Sequence, residues 1–162
     1  MKLDEKFFNA LIQNADKSER KRAHYNLHKK PDERVQRLCI ALNKGTYVRP
    51  HHHSQDNKWE LILGIKGNLG LVIFDEAGVI IDKVILSPGG SVTGLELVPN
   101  TWHTVYPVTE SAVIMEVKEG PYTPAKESDF AQWAPQEGGS TVQEFLVWIQ
   151  NAKIGDKYIN VE

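Results

Sequence analysis

The sequence has one cysteine, two methionines and no apolar run that approaches the length needed to span a bilayer. A lone thiol, Cys39, cannot close an internal disulfide, which fits a reducing compartment. Charge of one sign is also missing. Nineteen Lys and Arg against 21 Asp and Glu leave a formal net charge of -2, with no bulk pull toward nucleic acid or an anionic membrane. The opening, MKLDEKFFNALIQNAD, is too short and too acidic for a secretory signal. Repeats and low-complexity segments are absent. What is left is ordinary: 162 residues, 41% apolar and 25% charged, enough for one soluble domain with its own core. The expected location is the cytoplasm.

Phe7, Phe8, Leu11 and Ile12 fall at helical spacing behind Asp4, a potential cap, and predict a short amphipathic helix. A basic stretch follows from Lys17 to Lys30, and Pro31 ends any helix continuing from it. From Val35 the texture changes to short β-rich runs: VQRLCIAL, TYVRPHHH, WELILGIK, LGLVIFD, VIIDKVIL, VTGLELV and SAVIMEVK. Turn chemistry separates them, at Gly67-Asn68, DEAG, Pro88-Gly89-Gly90 and Pro99-Asn100. Many short strands without intervening helices predict an antiparallel sandwich or barrel. Residues 120–139 should wrap the surface as irregular chain. A last helix should begin near Thr141, where Glu144 stands at capping-box spacing and Val142, Phe145, Leu146 and Ile149 form an apolar stripe.

The strand WELILGIK sets Trp59, Leu61, Leu63 and Ile65 on one face and Glu60 and Ile62 on the other. If Glu60 points into a barrel, the apolar row points out and needs a cover. The N-terminal helix, the C-terminal segment or a second subunit could supply it, and a homodimer is expected.

The chemistry concentrates in histidine. On a strand, His51 and His53 share a face with Cα atoms roughly 6 to 7 Å apart, while His52 points away. Glu60 returns on the next strand, and His103 in TWHTV could close the site from a distant one. Three imidazoles and a carboxylate suit zinc, iron, nickel, copper or manganese and leave positions open for water or substrate. Affinity-tag remnants sit at termini, whereas this run is internal and flanked by strand signals.

Gly45-x5-His51-x-His53-x6-Glu60-x6-Gly67 resembles the first cupin motif, and Pro99-x3-His103 the core of the second. From Arg22 to Gly138, the stretches RAHYNLH, VQRLCIALNKGTY, FDEAGVI, EVKEGPY and DFAQWAP resemble the WbuC family of cupin-fold metalloproteins. The resemblance implies an all-β fold, a cupin-type antiparallel β-barrel (jelly roll) with short N-terminal and C-terminal helices. It divides residues 1–162, one domain, into a helix and arm (1–34), a barrel (35–120) and an irregular tail with a last helix (121–162). It places one divalent ion on His51, His53, Glu60 and His103, zinc first, with iron, manganese or nickel as alternatives. The gap between His53 and Glu60 is longer than the usual cupin gap, so two arrangements stand: Glu60 as fourth ligand, or three histidines alone with Glu60 behind them. Thr101 stands where glycine is common, and no asparagine follows His103.

Further residues are candidates for binding a ligand. If the face of His51 and His53 continues backward, Tyr47 and Arg49 line the same interior, and an arginine there suits a carboxylate or phosphate. His24, Asn26 and His28 could fold over the barrel mouth; the competing reading is a solvated linker. Lys118 and Tyr122 are weaker candidates. Cys39, in an apolar strand, reads as a packed, inert thiol. The fold alone cannot choose a reaction. By analogy with the WbuC family, whose members are encoded among polysaccharide (O-antigen) functions, the expected ligand is a sugar or nucleotide-sugar. The expected activity is a metal-dependent isomerase or epimerase with Glu60 moving the proton. The alternatives are an iron-dependent dioxygenase and a non-catalytic sugar-binding module.

Overall fold

Alternating apolar and polar side chains drive most of this chain into short strands. The structure, a computed structural model, describes residues 1–159. Helix α1 spans Glu5–Lys17, and the Asp4 carboxylate accepts from the Phe7 amide at 3.0 Å. Eight strands follow: β1 (Arg22–Asn26), β2 (Val35–Asn43), β3 (Glu60–Lys66), β4 (Leu69–Phe74), β5 (Ile80–Leu86), β6 (Gly94–Leu97), β7 (Trp102–Pro107) and β8 (Ser111–Glu119). A 3-10 turn at Glu127–Asp129 and helix α2 at Val142–Asn151 complete the order.

Every strand pairing is antiparallel. One sheet runs β1-β2-β8-β3-β6 and the other β5-β4-β7. Leu42, Ile62 and Ile114 from the first meet Leu71, Leu86 and Val105 from the second in an apolar core between them. This is the cupin-type barrel with a short helix toward each end of the chain. The turn between β3 and β4 depends on Gly67, whose φ is +66° and whose missing Cβ would strike the Ser111 carbonyl. No helix among the described residues is long and apolar enough to cross a membrane.

The two helices cover different sheets. Phe8, Leu11 and Ala15 of α1 pack on Cys39, Ala41 and Val113, the outward side chains of the large sheet. Burying a side chain as large as Phe8 or Leu11 contributes about 1.5–3 kcal/mol, against about 1 kcal/mol for a cap. Packing therefore fastens α1 more than Asp4 does. Phe145, Leu146 and Ile149 of α2 pack on Val72, Phe74 and Tyr106 of the small sheet. Lys83 on β5 donates to the Ile149 and Ala152 carbonyls at 2.8 and 2.7 Å, satisfying the C-terminal end of α2. Of the outward row on β3, α1 reaches Ile65, while Leu61 and Leu63 stay half-buried.

Two segments depart from the expected pattern. TYVRPHHH is not a regular strand: Pro50 lacks an amide to donate, and only His51 forms ladder bridges, to His103 and Phe130. Conversely, Arg22–Asn26, in the stretch read as a basic arm, is an edge strand paired with β2. It is polar because one of its faces looks into a wet cavity. Leu42, Ile40 and Leu38 are the β2 partners of Arg22, His24 and Asn26 on that face, while Tyr25 on the other meets Phe7 edge-on at 5.1 Å.

Candidate metal centre

One antiparallel exchange fixes two of the three histidines. His51 N–H donates to His103 O at 3.0 Å, and His103 N–H donates back to His51 O at 2.8 Å. The irregular tail holds the other edge of this segment, with Ala131 N–H donating to Pro50 O at 2.8 Å and His52 N–H to Asp129 O at 2.9 Å. His51, His53 and His103 each bring a ring nitrogen to one place, all three within 4.8 Å of one another.

Backbone carbonyls set the tautomers. His51 Nδ1 lies 3.0 Å from Arg49 O and His103 Nδ1 lies 2.9 Å from Thr101 O. A carbonyl only accepts, so each Nδ1 carries the hydrogen and each Nε2 keeps a lone pair. Glu60 is buried beside them. Its Oε2 is 3.3 Å from His103 Nε2, and its Oε1 is 3.1 Å from His53 Nε2. The His53 contact is off the line along which a ring N–H would donate, which leaves that buried nitrogen without a hydrogen bond. The His103 lone pair thus faces a carboxylate oxygen, an arrangement that requires a cation between them, either a proton or a metal ion. The donors fit a first-row divalent ion on His51, His53 and His103, with Glu60 in reach. Carbonyls holding the far ring nitrogens are the usual support of such ligands.

The electrostatics follow from this packing. Burial alone would raise the Glu60 carboxyl, but His103, His53 and Lys118 hold it well below the usual carboxylate range. Burial would lower His103, yet its contact with Glu60 raises it. His51, desolvated and next to His103, is held well below the usual imidazole range. Lys118 Nζ donates to Glu60 Oε1 at 2.7 Å and to Glu116 Oε2 at 3.2 Å. Burial opposes its charge, but Glu116 and Glu60 together hold the ammonium above its ordinary range. Burial also pushes the Glu116 carboxyl up.

The site opens into a cavity of 730 Å³, walled by the large sheet, β7, the tail and the residues around β1. His24, Asn26 and His28 all line it. His24 is open to solvent at the mouth, yet desolvation by the surrounding chain, with Arg22, Arg20 and Lys118 nearby, pushes it down to about 4. His28 is tied to the backbone, its Nδ1 accepting from the Arg37 amide at 3.0 Å. Arg49 also lines the cavity, but its guanidinium is occupied: it donates to Ala131 O at 2.9 Å and to Glu127 Oε1 at 3.0 Å, and lies over Phe130. On the opposite wall one carboxylate, Glu137, pairs with Arg20 at 2.6 Å and with Arg22 at 3.1 Å.

Tyr47 is elsewhere. It sits in the core beneath α2, 5.4 Å from Phe145 between ring centroids, and donates to Pro135 O at 2.6 Å. The expectation that it lines the interior is corrected: Val48 and Arg49 both line the cavity, so strand alternation breaks between Tyr47 and Arg49, and parity counted back from His51 puts Tyr47 on the wrong side. His52 turns away and stacks on Trp102 at 4.1 Å. Glu116 was not singled out by sequence reasoning, and Lys118 only weakly. The signal was parity along β8: both share the inward face of Ala112 and Ile114.

A family described as a domain of unknown function (DUF6016) matches residues 3–86. The chain belongs to the DUF6016 family. The match runs from α1 through β5 and so contains His51, His53 and Glu60, while His103 lies beyond it. No curated protein matches this DUF6016 chain. Among solved structures, it is similar to the DMSP lyase DddQ from Ruegeria pomeroyi DSS-3, at 14% identity and a TM-score of 0.51, over 64% of this chain and 49% of that one. It therefore spans about half of that lyase. Similarity also extends to KdgF from a Halomonas species (15% identity, 66% and 82% covered, TM-score 0.47). A cupin superfamily protein from Desulfitobacterium hafniense DCB-2 is comparable (15%, 60% and 76%, 0.47). At such identities the likeness is one of fold.

Proposed function

We propose that this DUF6016 chain is a divalent-metal cupin of the WbuC kind, acting on a small sugar-like ligand held in the cavity. One observation carries the reading: His51 and His103 are fixed by backbone carbonyls at Nδ1, His51, His53 and His103 bring ring nitrogens within 4.8 Å of one another, and His53 Nε2 lies among them beside a buried carboxylate without a hydrogen bond of its own. Bound there, a zinc-like ion would act as a Lewis acid toward a carbonyl or hydroxyl oxygen. The chain's own residues do the rest. Glu60 is the group that moves a proton, held in place by Lys118. His24, Asn26 and His28 on the β1 side, with Arg49 across from them, shape the binding wall. The reaction we assign is of the isomerase or epimerase type, and the place in polysaccharide biosynthesis rests on the resemblance to the WbuC family alone.

We further take residues 1–162 as one cytoplasmic domain that pairs with a second copy. Leu61, Leu63, Met115 and Val117, half-buried on the outer face of the large sheet beyond α1, offer that copy a surface. Sedimentation at micromolar concentration should give the mass of two chains; one chain would refute the pairing.

The metal reading is tested by elemental analysis of protein purified without an affinity tag. We expect about one ion per native chain and roughly a tenth of that or less in His53→Ala, with both proteins folded by circular dichroism. Equal metal in the two, or none in the native chain after incubation with zinc, would end it. Iron together with oxygen uptake would move the reaction to the dioxygenase class.

A further inference from the structure

Charge around the cavity is not the charge of the chain. Six of the 19 Lys and Arg line it, against three of the 21 Asp and Glu. A positive wall on a protein with a slight acid excess points to an anion. The arginines there have partners already: Arg49 on Ala131 O and Glu127, Arg22 on Glu137 and on the Tyr47 carbonyl at 2.6 Å. They set the field while held in the wall by these contacts.

Lys118 differs. An ammonium has three N–H donors, and two are directed at Glu60 and Glu116. The third has no partner among the described residues, and 22% of the side chain is open to the cavity. Nothing else of this kind stands so close to the histidines, since Lys118 touches Glu60 and Glu60 touches His53 and His103.

We infer that the cavity takes a sugar derivative bearing a carboxylate or phosphate, and that Lys118 contacts this anionic group through its third donor, beside the metal residues. The inference rests on the metal reading. Glu60 and Glu116 outweigh the single charge of Lys118, so the immediate surroundings attract an anion only with a divalent ion on the histidines. A neutral sugar would leave the third donor and the positive wall unanswered. His24 and Asn26, across the cavity, face the uncharged hydroxyls.

Cobalt-loaded protein titrated with D-glucuronate, D-glucose 6-phosphate and D-glucose tests this, read by the visible cobalt spectrum and by calorimetry. Glucuronate or the phosphate should bind at least about tenfold more tightly than glucose, and which of the two leads tells carboxylate from phosphate. Lys118→Met, titrated at saturating cobalt with its own cobalt affinity measured separately, should remove that preference, about tenfold; Lys118→Arg should restore part of it. If Lys118→Met does not fold, Glu116→Gln serves, and it should tighten glucuronate or phosphate binding severalfold by removing a neighbouring negative charge. Cobalt uptake with equal affinity for all three sugars overturns the inference and leaves the metal reading intact. The same holds if neither anion binds at 10 mM, or if Lys118→Met and Glu116→Gln leave anion binding unchanged. Failure to take up cobalt overturns both.

Discussion

The two halves of the barrel interior are built by the same strands and share almost no chemistry. On β8, Ala112 and Ile114 are buried in the apolar core, and the next two inward residues are Glu116 and Lys118. On β3 the step is from Ile62 to Glu60, on β7 from Val105 to His103, on β2 from Leu38 to Gln36. In each strand one two-residue step, about 7 Å, crosses from close packing to polar or charged side chains. The apolar half gives the sheets a reason to close. The polar half uses that closure to hold groups that would not stay together in water, because each buried charge has a partner within hydrogen-bond reach.

If the halves are separable in this way, damage to the apolar half should cost stability and spare the site. Leu71→Ala empties a position that is 0% exposed and does not line the cavity. It should lower the unfolding free energy by about 2–5 kcal/mol in a urea titration, while the metal content per folded chain stays that of the native protein. A loss below 1 kcal/mol, or a concurrent loss of metal, would show that the division is not real.

A smaller effect probes the rim of the polar half. His24 is pushed down to about 4, from an ordinary value of 6.5, by desolvation and by Arg22, Arg20 and Lys118. Lowering a histidine means the folded chain refuses a proton that the unfolded chain accepts. The native protein is therefore penalised as pH falls from 6.5 toward 4, and above 6.5 the penalty vanishes. His24→Asn removes it, so in metal-free protein the variant should gain melting temperature on the native chain between pH 7 and pH 4.5. Exposure of the ring at the cavity mouth limits the gain to about 2 °C. A constant difference across that range would mean the cations around His24 are screened by solvent.

Most of the architecture could be read from the residues, and the reasons are local. Period-two alternation announced β2, β3, β4 and β8, and the stripes Phe8-Leu11 and Phe145-Leu146-Ile149 announced the helices. The spacing of His51, His53 and His103 carried the cluster because ladder pairing holds 51 opposite 103. What stayed hidden depends on context. Arg22–Asn26 reads as solvated chain because the cavity it faces is itself wet. Lys118 reads only as a weak ligand-binding candidate and Glu116 carries no signal, since nothing in EVKE says that carboxylate and ammonium will meet Glu60 from the neighbouring strand. Tyr47 was misplaced by counting parity through a segment that is not a regular strand.

The bond of Glu137 to Arg20 and Arg22 has a bearing on how the molecule is made. Residue 137 leaves the ribosome after all eight strands, and it fastens to side chains synthesised more than a hundred residues earlier. All eight strands emerge before that carboxylate does, while the chamber's wall needs it, and so the part of the protein that meets a ligand is among the last to be assembled.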